Sequence, residues 1–259
     1  MLLALDVGNS NINAGVSVDR ELRFTTRIAT DKNRTEDQYA AELSAILGLY
    51  GIKPSDIDGA VISTVVPSLA PVLSRAVWKL TGLSSLMVEP GIKTGLNIHI
   101  DNPAQLGSDL VAGAVAANAI CKKPCIVFDF GTATKATVLD KNGSLIGCLI
   151  MHGVKISLEA LAIHTAQLPH ISLEKPSRVI GTNTVESMRS GAVLGAASML
   201  DGMAERIEDE LRQKATVVVT GGLASLVAPY CKRSVTLIPT LNLDGLRLIY
   251  QKNQTCDKK

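Results

Sequence analysis

Short apolar runs alternate along this chain with longer segments in which apolar residues recur at helical spacing. Strand-like runs occupy residues 2–5, 11–18, 59–65, 84–88, 125–130 and 217–220. Helical periodicity is found over residues 35–50, 67–80, 105–120 and 184–211. Strands that alternate with helices in this way predict an α/β fold with a central sheet. The polar end of the chain, from residue 251, is predicted to fray.

The chain also repeats itself at an offset of 123 residues. Residues 3–23 match residues 126–146, which aligns Asp6 with Asp129. In each copy a buried strand ends in Asp-x-Gly and a second strand leaves as a hairpin. A duplication at this spacing implies two similar domains that face each other across a cleft. The expected domains are residues 1–122 and residues 123–259.

Composition excludes several classes of function. Of the 259 residues, 46% are hydrophobic and only 3% aromatic, so the core is aliphatic and few rings remain for stacking on bases. The net charge of +2 comes without a basic block, so no nucleic-acid partner is predicted. No apolar run reaches the roughly eighteen residues of a membrane span, and the first residues do not form a signal peptide. We therefore expect a cytoplasmic protein with no membrane partner.

The cysteines agree with that expectation. They are Cys121, Cys125, Cys148, Cys231 and Cys256. Their number is odd, no CxxC pair occurs and the histidines do not cluster with them, so structural zinc is not expected. This usage is typical of buried, reduced thiols in a cytoplasmic protein.

Both copies of the repeat end their first strand in a turn suited to holding phosphates. Glycine lets backbone N–H groups approach a phosphate, and amide or hydroxyl side chains add hydrogen bonds. The candidate phosphate ligands are Gly8, Asn9, Ser10, Asn11, Gly131, Thr132, Ala133 and Thr134. Asp6 and Asp129 stand at the strand ends, where each can hold a cation that neutralises phosphate. One such turn is often only a tight turn, but two in register favour phosphate binding.

Two further elements carry candidate chemistry. The strand at 217–220 runs into Gly221 and Gly222, a turn that lets an adenine or a phosphate lie against the backbone, although such turns are more often structural. Asp109 falls near the start of an Ala-rich helix, where its carboxylate can act as a general base toward a substrate hydroxyl. The alternative is an aspartate that only complements the helix dipole.

The longest predicted helix carries a stripe of small residues. Asn183 is placed to cap it, with Glu186 in the capping-box position. The small residues are Gly191, Gly195, Ser198 and Gly202. Glycine in a helix costs about 1 kcal/mol against alanine, so close packing should offset that loss. Packing within the chain and a dimer seam are both compatible with this spacing.

Several of these motifs, in this order and spacing, carry a family resemblance that covers nearly the whole chain. The matching segments are DVGNSN (6–11), STVVP (63–67), KTGLNI (93–98), DNPAQLGSD (101–109), DFGTAT (129–134), SLEAL (157–161), TAQLP (165–169), GTNTVESMRSG (181–191), TGGLA (220–224) and GLRLIY (245–250). The chain resembles the type III pantothenate kinases. The resemblance implies the actin, sugar-kinase and heat-shock ATPase superfamily, with two ribonuclease-H-like domains, each a mixed sheet flanked by helices.

The same resemblance implies an activity and roles for individual residues. The activity is ATP-dependent phosphorylation of pantothenate, the first step of coenzyme A biosynthesis. Asp109 matches the base that takes the proton from the pantothenate hydroxyl, and Asp6 matches a residue of the magnesium–phosphate site. Asp129 matches a residue associated with a potassium or ammonium ion. The residues expected to bind substrate are Asn102, Gly107, Ser108, Asp109 and Thr184.

The resemblance further implies a homodimer. The helix at residues 184–211 would form its interface, and the pair at 183–184 would reach the partner's pantothenate site. This shifts the interpretation of the small-residue stripe toward a dimer seam.

The chain departs from the family pattern at four positions in or near the presumed site. They are Leu110, Lys135, Cys148 and His152. Leu110 stands where the family commonly has an arginine that helps to bind pantothenate, and Lys135 stands where it has threonine. In one interpretation Lys135 partly replaces the missing positive charge and the kinase works. In the other, the chain is a non-catalytic nucleotide-binding relative that acts as a regulator or partner subunit. The three retained aspartates favour the working kinase.

Overall fold

The structure is a computed structural model that describes residues 1–19 and 21–254. The described residues form two units, and each is organised around one five-stranded sheet. The first unit comprises Met1–Gly95, Asp101–Ala116 and the residues from Thr240 onward. The second unit comprises Leu96–Ile100 and Ala117–Pro239.

Strands and helices alternate as the apolar pattern predicts. The strands are β1 (Leu2–Val7), β2 (Asn11–Val18), β3 (Glu21–Ala29), β4 (Gly59–Thr64), β5 (Leu86–Met87), β6 (Cys125–Phe130), β7 (Ala133–Leu139), β8 (Leu145–His152), β9 (Thr216–Thr220) and β10 (Thr236–Leu237). The helices are α1 (Glu36–Leu49), α2 (Ala70–Thr81), α3 (Ser108–Ile120), α4 (Val154–His164), α5 (Thr184–Leu211), α6 (Ala224–Val227) and α7 (Leu241–Gln254). Two predicted helices begin later than expected, because Pro67–Leu69 and Pro103–Gln105 form separate 3₁₀ turns.

The two sheets share one topology. Their strand orders are β3-β2-β1-β4-β5 and β10-β9-β6-β7-β8. In each sheet the central strand pairs antiparallel with the strand that follows it and parallel with a later strand. The sequence repeat therefore corresponds to two sheets built alike, and the predicted fold of two mixed sheets flanked by helices is confirmed. Asp6 and Asp129 lie near the carboxyl ends of the two central strands.

Local sequence signals explain the first helix. Thr35 caps α1 by accepting a hydrogen bond from the Gln38 backbone N–H, and the Gln38 side-chain oxygen accepts one from the Thr35 N–H. This reciprocal capping box pairs backbone donors that the first turn would otherwise leave open. Tyr39, Leu43 and Leu47 follow at helical spacing and are buried in the core of the first unit, as the periodicity predicts.

The last helix belongs to the first unit, which differs from the expected domain of residues 123–259. α7 contacts β1, β2 and β4, and its Leu241, Leu246 and Ile249 are fully buried. The change of unit between Ala116 and Ala117 also precedes the expected boundary at residue 122. A helix buries its apolar face on whichever sheet offers a matching surface, and position in the chain does not decide which sheet that is.

α7 also runs beyond the point where fraying is expected. The helix continues from residue 251 to Gln254. The Asn253 amide donates to the carbonyls of Lys93 (3.0 Å) and Ile249 (2.8 Å), which ties this last turn to the first unit. A tertiary hydrogen bond of this kind stabilises a polar turn that has no apolar face of its own.

The prediction of buried thiols is confirmed for Cys125 alone. Burial, followed by the neighbouring Cys121 thiol, raises the pKa of Cys125 to about 12, which keeps it protonated. Cys148 is exposed, and Cys121 and Cys231 are half-buried. Cys256 lies outside the described residues. Within those residues, no helix combines the length and the apolar character needed to cross a bilayer.

The long helix α5 begins where its cap predicts. The Asn183 side chain accepts a hydrogen bond from the Glu186 N–H at 2.9 Å. The expected return bond of a capping box is replaced, since the Glu186 carboxylate accepts from the Ser177 hydroxyl (2.8 Å) and pairs with Arg189 (3.1 Å). These contacts lower the pKa of Glu186. The residues before the helix are thereby tied to its first turn.

The other end of α5 is held by a buried carboxylate. Glu208 accepts from the Arg233 guanidinium (3.0 Å), the Lys214 ammonium (2.8 Å) and the Ala215 N–H (3.1 Å). Burial by itself raises the pKa of Glu208, but these donors outweigh it and hold the pKa at about 2. The ionised form of Glu208 therefore stabilises the second unit.

Replacement of this carboxylate tests that contribution. Glu208→Gln should lower the free energy of unfolding by about 2 kcal/mol near neutral pH, because Arg233 keeps its charge but loses its ionic partner. The folded pKa of Glu208 lies below the ordinary glutamate pKa of 4.5, so the advantage of the glutamate is complete above pH 4.5 and fades as the pH falls toward 2. Urea unfolding across this range measures the difference. Glu205→Gln, at an exposed position of the same helix, is the control, and an equal loss there would contradict the assignment.

Candidate active site

In the first unit the candidate site is built on Asp6, a buried carboxylate near the end of the central strand. Only 5% of this residue is exposed. Its Oδ1 lies 3.3 Å from the Ser63 hydroxyl on β4, the strand that pairs with β1. Its Oδ2 accepts from the Asn242 amide at 3.0 Å. Both carboxylate oxygens therefore accept from polar side chains, which fixes their direction.

Asn242 is a candidate site residue that the sequence motifs do not predict. It lies in the first turn of α7, and 236 positions of sequence separate it from Asp6. A Cβ at Gly113 on α3 would come within 2.9 Å of its Oδ1, so a glycine there makes room for it. A Cβ at Gly245 would come within 1.9 Å of the Ala112 carbonyl oxygen, so a second glycine allows α7 to approach α3 closely. No local signal links Asn242 to Asp6, since the contact depends on the packing of α7.

The turn after Asp6 exposes polar groups, as the phosphate prediction requires. Asn9, Ser10 and Asn11 are exposed. The turn closes through a hydrogen bond from the Gly8 N–H to the Asn11 carbonyl at 2.9 Å. Thr30 on the neighbouring segment holds it further, through its hydroxyl to the Gly8 carbonyl (2.8 Å). A rigid turn with exposed amide and hydroxyl groups can bind an anion without first having to be ordered.

Asp109 enters the same unit at the start of α3. The residue is 9% exposed, and its Oδ1 accepts from the Leu110 N–H at 2.8 Å. A Cβ at Gly107 would come within 2.6 Å of that Oδ1, so glycine at this position leaves room for the carboxylate. The preceding Ser108 hydroxyl lies 3.0 Å from that of Ser63, and donates to the Thr64 carbonyl at 3.1 Å. Through Ser63 and Ser108, the start of α3 is linked to the Asp6 carboxylate.

Asn102 and Leu110, the other residues discussed around Asp109, contribute to the local fold. Asn102 is exposed, and its side chain accepts from the Ala104 N–H at 3.2 Å, which caps the 3₁₀ turn before α3. Leu110 is buried, so at this position the chain offers the site only a backbone N–H. The location of Asp109 in the first turn of α3 also suits its charge to the helix dipole, so the two alternatives for this residue are compatible.

The second unit repeats the arrangement with a different partner. Asp129 on β6 lies 3.2 Å from the Lys135 ammonium, measured from Oδ2 to Nζ. The side chains are 15% and 18% exposed. This carboxylate therefore meets a full positive charge from the strand that pairs with β6. The sequence marks Lys135 as a departure from the family pattern, but the pairing was not predicted.

A glycine of the second unit packs directly against Asp129. Gly221 follows β9 with a φ of +95°, a conformation that favours glycine. A Cβ there would lie 2.3 Å from the Asp129 Oδ1 and 2.7 Å from the backbone of Phe130. Gly221 therefore forms one wall of the aspartate's surroundings, and Gly222 beside it is exposed. The Gly-Gly turn therefore contacts the second Asp-x-Gly motif directly, which the sequence alone does not predict.

The turn between β6 and β7 presents part of its predicted set. The Gly131 N–H donates to the Ala133 carbonyl at 3.2 Å, and Thr132 is exposed at the tip. A Cβ at Gly153, the cap residue of α4, would come within 1.9 Å of the Thr132 carbonyl oxygen. Thr134 is fully buried, and its hydroxyl has no hydrogen-bond partner among the described residues. The accessible groups for a phosphate at this turn are therefore those of residues 131–133.

The remaining substrate candidate lies elsewhere in the second unit. Thr184 lines a groove of about 870 Å³ between α4 and α5, together with Leu161 and Met188. The wall also contains His152, whose ring Nδ1 lies 2.7 Å from the Ser157 hydroxyl. Cys148 on β8 is exposed. The groove is mostly apolar, in contrast to the polar turns around the two aspartates.

The metal chemistry of the site has to come from few protein ligands. Within residues 1–19 and 21–254, no three His, Cys, Asp or Glu side chains lie close enough to form a metal cage. Magnesium in phosphoryl-transfer sites is held by one or two carboxylates together with substrate phosphates and water. A carboxylate fixed like that of Asp6, beside an exposed turn that is a candidate phosphate ligand, fits that coordination.

Comparisons with known proteins point in one direction. The sequence model of the type III pantothenate kinase family matches residues 2–206. A type III pantothenate kinase of Brevibacillus brevis is 42% identical over 98% of this chain and 100% of its own length. Further relatives with the same description, among them one from a Geobacillus strain that covers the whole chain, are 38–40% identical.

Solved structures agree on the fold. MreB 5 of Spiroplasma citri superposes with a TM-score of 0.55 at 10% identity, covering 99% of this chain and 98% of its own. The ROK hexokinase of Thermus thermophilus gives 0.50 at 15% identity, with 97% and 99% covered. At such identities these structures support the fold of two actin-like ATPase domains and carry no argument about substrate.

The partnership of Asn242 with Asp6 can be tested through stability. Asn242→Asp keeps the shape of the side chain but sets a second carboxylate beside the first, so near neutral pH we expect unfolding to be easier by about 2 kcal/mol. Protonation of either carboxylate removes the repulsion, and the deficit should shrink as the pH falls. Urea unfolding at two pH values measures this. Asn33→Asp, at an exposed position of the same unit, is the control; an equal and pH-independent loss in both variants would argue against the contact.

Proposed function

The chain belongs to the type III pantothenate kinase family, and on that basis we propose which of its residues carry out the reaction. It is a kinase that phosphorylates pantothenate with ATP in coenzyme A biosynthesis. The observation that carries this conclusion is 38–42% identity to curated members along essentially the full length. The alternative of a non-catalytic regulator receives no support from these relatives.

Asp109 is the proposed general base. Phosphoryl transfer depends mainly on positioning and on neutralising charge, so the base has to be held toward the attacking hydroxyl. The Leu110 N–H and the space left by Gly107 hold this carboxylate in one orientation. Asn102, Gly107 and Ser108 are the proposed residues around the pantothenate, and Thr184 is proposed to reach the pantothenate of a second copy of the chain. The buried Leu110 supplies no side-chain charge for the pantothenate carboxylate.

The phosphates of ATP are assigned to the two Asp-x-Gly turns. The exposed polar groups at residues 9–11, and the backbone and Thr132 in the turn at 131–133, support this assignment. The family uses ATP with a divalent metal, and magnesium held at Asp6 is the proposed identity. Gly221 and Gly222 are the proposed contact for the adenine or a phosphate. The potassium or ammonium ion expected at Asp129 would have to share this carboxylate with the Lys135 ammonium.

A homodimer through α5 is proposed as well. A Cβ added at Gly191, Gly195 or Gly202 would meet no atom within 4 Å in the described part of the chain, so these glycines are not needed for packing inside it. Gly191 and Gly195 line the apolar groove between α4 and α5; Ile163 on α4 and Ile180, which precedes the groove residue Gly181 in the chain, are exposed. A second copy of the chain would cover this face and make use of the small residues. A cytoplasmic location remains a prediction.

The role of the base predicts a large loss of turnover. Asp109→Asn keeps the size of the side chain and an acceptor for the Leu110 N–H but cannot take up the proton, so kcat should fall about a hundredfold or more. Formation of phosphopantothenate from ATP and pantothenate measures this, and ATP binding should persist. Asp37→Asn, at an exposed position on α1, is the control and should retain full activity. A variant at Asp109 with more than about a tenth of the wild-type kcat would contradict the assignment.

The dimer can be tested by its mass. Wild-type protein should sediment at twice the monomer mass of 27.3 kDa at micromolar concentration. Gly195→Arg places a large charged side chain on the proposed seam and should give monomers. Gly48→Arg is the matched control, since this helical glycine of α1 is also exposed and has no atom within 4 Å of an added Cβ. A wild-type monomer, or a Gly195→Arg dimer, would reject the interface.

A further inference from the structure

We propose that the Lys135 ammonium takes the place of the monovalent cation that the family resemblance sets at Asp129. This enzyme would then phosphorylate pantothenate without potassium or ammonium ions. The inference rests on the proposed function only for its kinetic test, because the contact between Lys135 and Asp129 is present whether or not the chain is a kinase. Lys135 acts here as a positioning residue, since it reaches the reaction through Asp129 and is not assigned a contact with substrate.

The contact follows from the register of the hairpin. Asp129 and Lys135 are directly opposite partners in the antiparallel pairing of β6 with β7. Residues directly opposite in such a pair project to the same face, with Cβ atoms about 5 Å apart. The pleat therefore delivers the lysine stem beside the aspartate, and the ammonium lies 3.2 Å from Oδ2. Any side chain at position 135 would neighbour Asp129, so the identity of residue 135 sets the charge there.

The surroundings of Asp129 leave little room for a cation in addition to the lysine. On the Oδ1 side, the backbone of Gly221 is so close that a Cβ there would lie 2.3 Å from the oxygen. On the Oδ2 side stands the Lys135 ammonium. Both side chains are more than four-fifths buried, so solvent screens the pair weakly. The site as built does not fit an additional monovalent cation.

Electrostatic repulsion from the Lys135 ammonium also disfavours a potassium ion at Asp129. A potassium ion at the carboxylate would stand within about 4 Å of the ammonium, and at an effective dielectric constant near 20 that repulsion weakens its binding by roughly a thousandfold. The lysine carries the same single positive charge as the ion and three N–H donors. Because the ammonium is part of the chain, its occupancy does not depend on the salt in solution. A threonine at this position is neutral and leaves the carboxylate for an external ion.

The kinetic test compares wild type with Lys135→Thr in chloride salts of potassium, ammonium, sodium and choline at equal ionic strength. The wild-type rate of phosphopantothenate formation should agree across the four salts within about twofold. Lys135→Thr should lose about tenfold or more in choline and sodium, and recover in potassium or ammonium. Lys135→Gln keeps most of the stem without the charge and serves if the threonine variant folds poorly. Lys155→Thr, which removes an exposed lysine of the same unit, should leave the wild-type salt pattern unchanged.

A second readout does not require turnover. A cation that binds only the folded protein raises its unfolding temperature in proportion to the logarithm of its concentration. Potassium should therefore give wild type no stabilisation beyond that of sodium, and should stabilise Lys135→Thr specifically. This arm remains decisive if the wild type shows no kinase activity in any salt, a result that would count against the proposed function alone.

Three results would overturn the inference. The first is a wild-type rate that depends strongly on potassium or ammonium. The second is potassium-specific thermal stabilisation of the wild type. The third is a folded Lys135→Thr or Lys135→Gln variant that gains no response to potassium in either measurement, since the charge of Lys135 would then not be what replaces the ion.

Discussion

The site depends on one constraint, namely that each unit buries its central strand on both sides and yet ends it in a carboxylate. A carboxylate in such a place is stable only if its charge is paired or its oxygens accept hydrogen bonds. Every contact described around Asp6 and Asp129 meets that requirement. Glycines help to meet the same requirement. Gly113 leaves room for Asn242 beside Asp6, and Gly221 lets the backbone after β9 approach Asp129.

The two units satisfy this constraint differently. In the first, a serine and an asparagine donate to Asp6, which orients the carboxylate for the proposed magnesium and phosphates. In the second, a lysine on the neighbouring strand neutralises Asp129 directly. The duplicated backbone therefore offers two equivalent positions, and the cross-strand and helical neighbours decide the chemistry of each.

Different parts of the long helix α5 have different packing partners. Its last turns are held within the second unit by Glu208, while its small residues face open space. If the glycines of this 28-residue helix served packing within the chain, atoms of neighbouring elements would lie close to them. Among the described residues, no atom lies within 4 Å of a Cβ added at Gly191, Gly195 or Gly202. The proposed dimer gives these residues a physical reason, since close approach of a second copy is what they permit.

The sequence by itself determined the α/β class, the duplicated halves, the strand-end aspartates and most helices, because apolar periodicity, capping residues and Asp-x-Gly turns act over a few residues. Only the tertiary structure decided that α7 joins the first sheet and brings Asn242 to Asp6 from 236 positions away. That contact depends on which surfaces fit together, a property that no local pattern carries. The pairing of Lys135 with Asp129 lies between these cases. The hairpin is local enough to predict, but the consequence of one lysine in it became clear only when the register placed the two charges side by side.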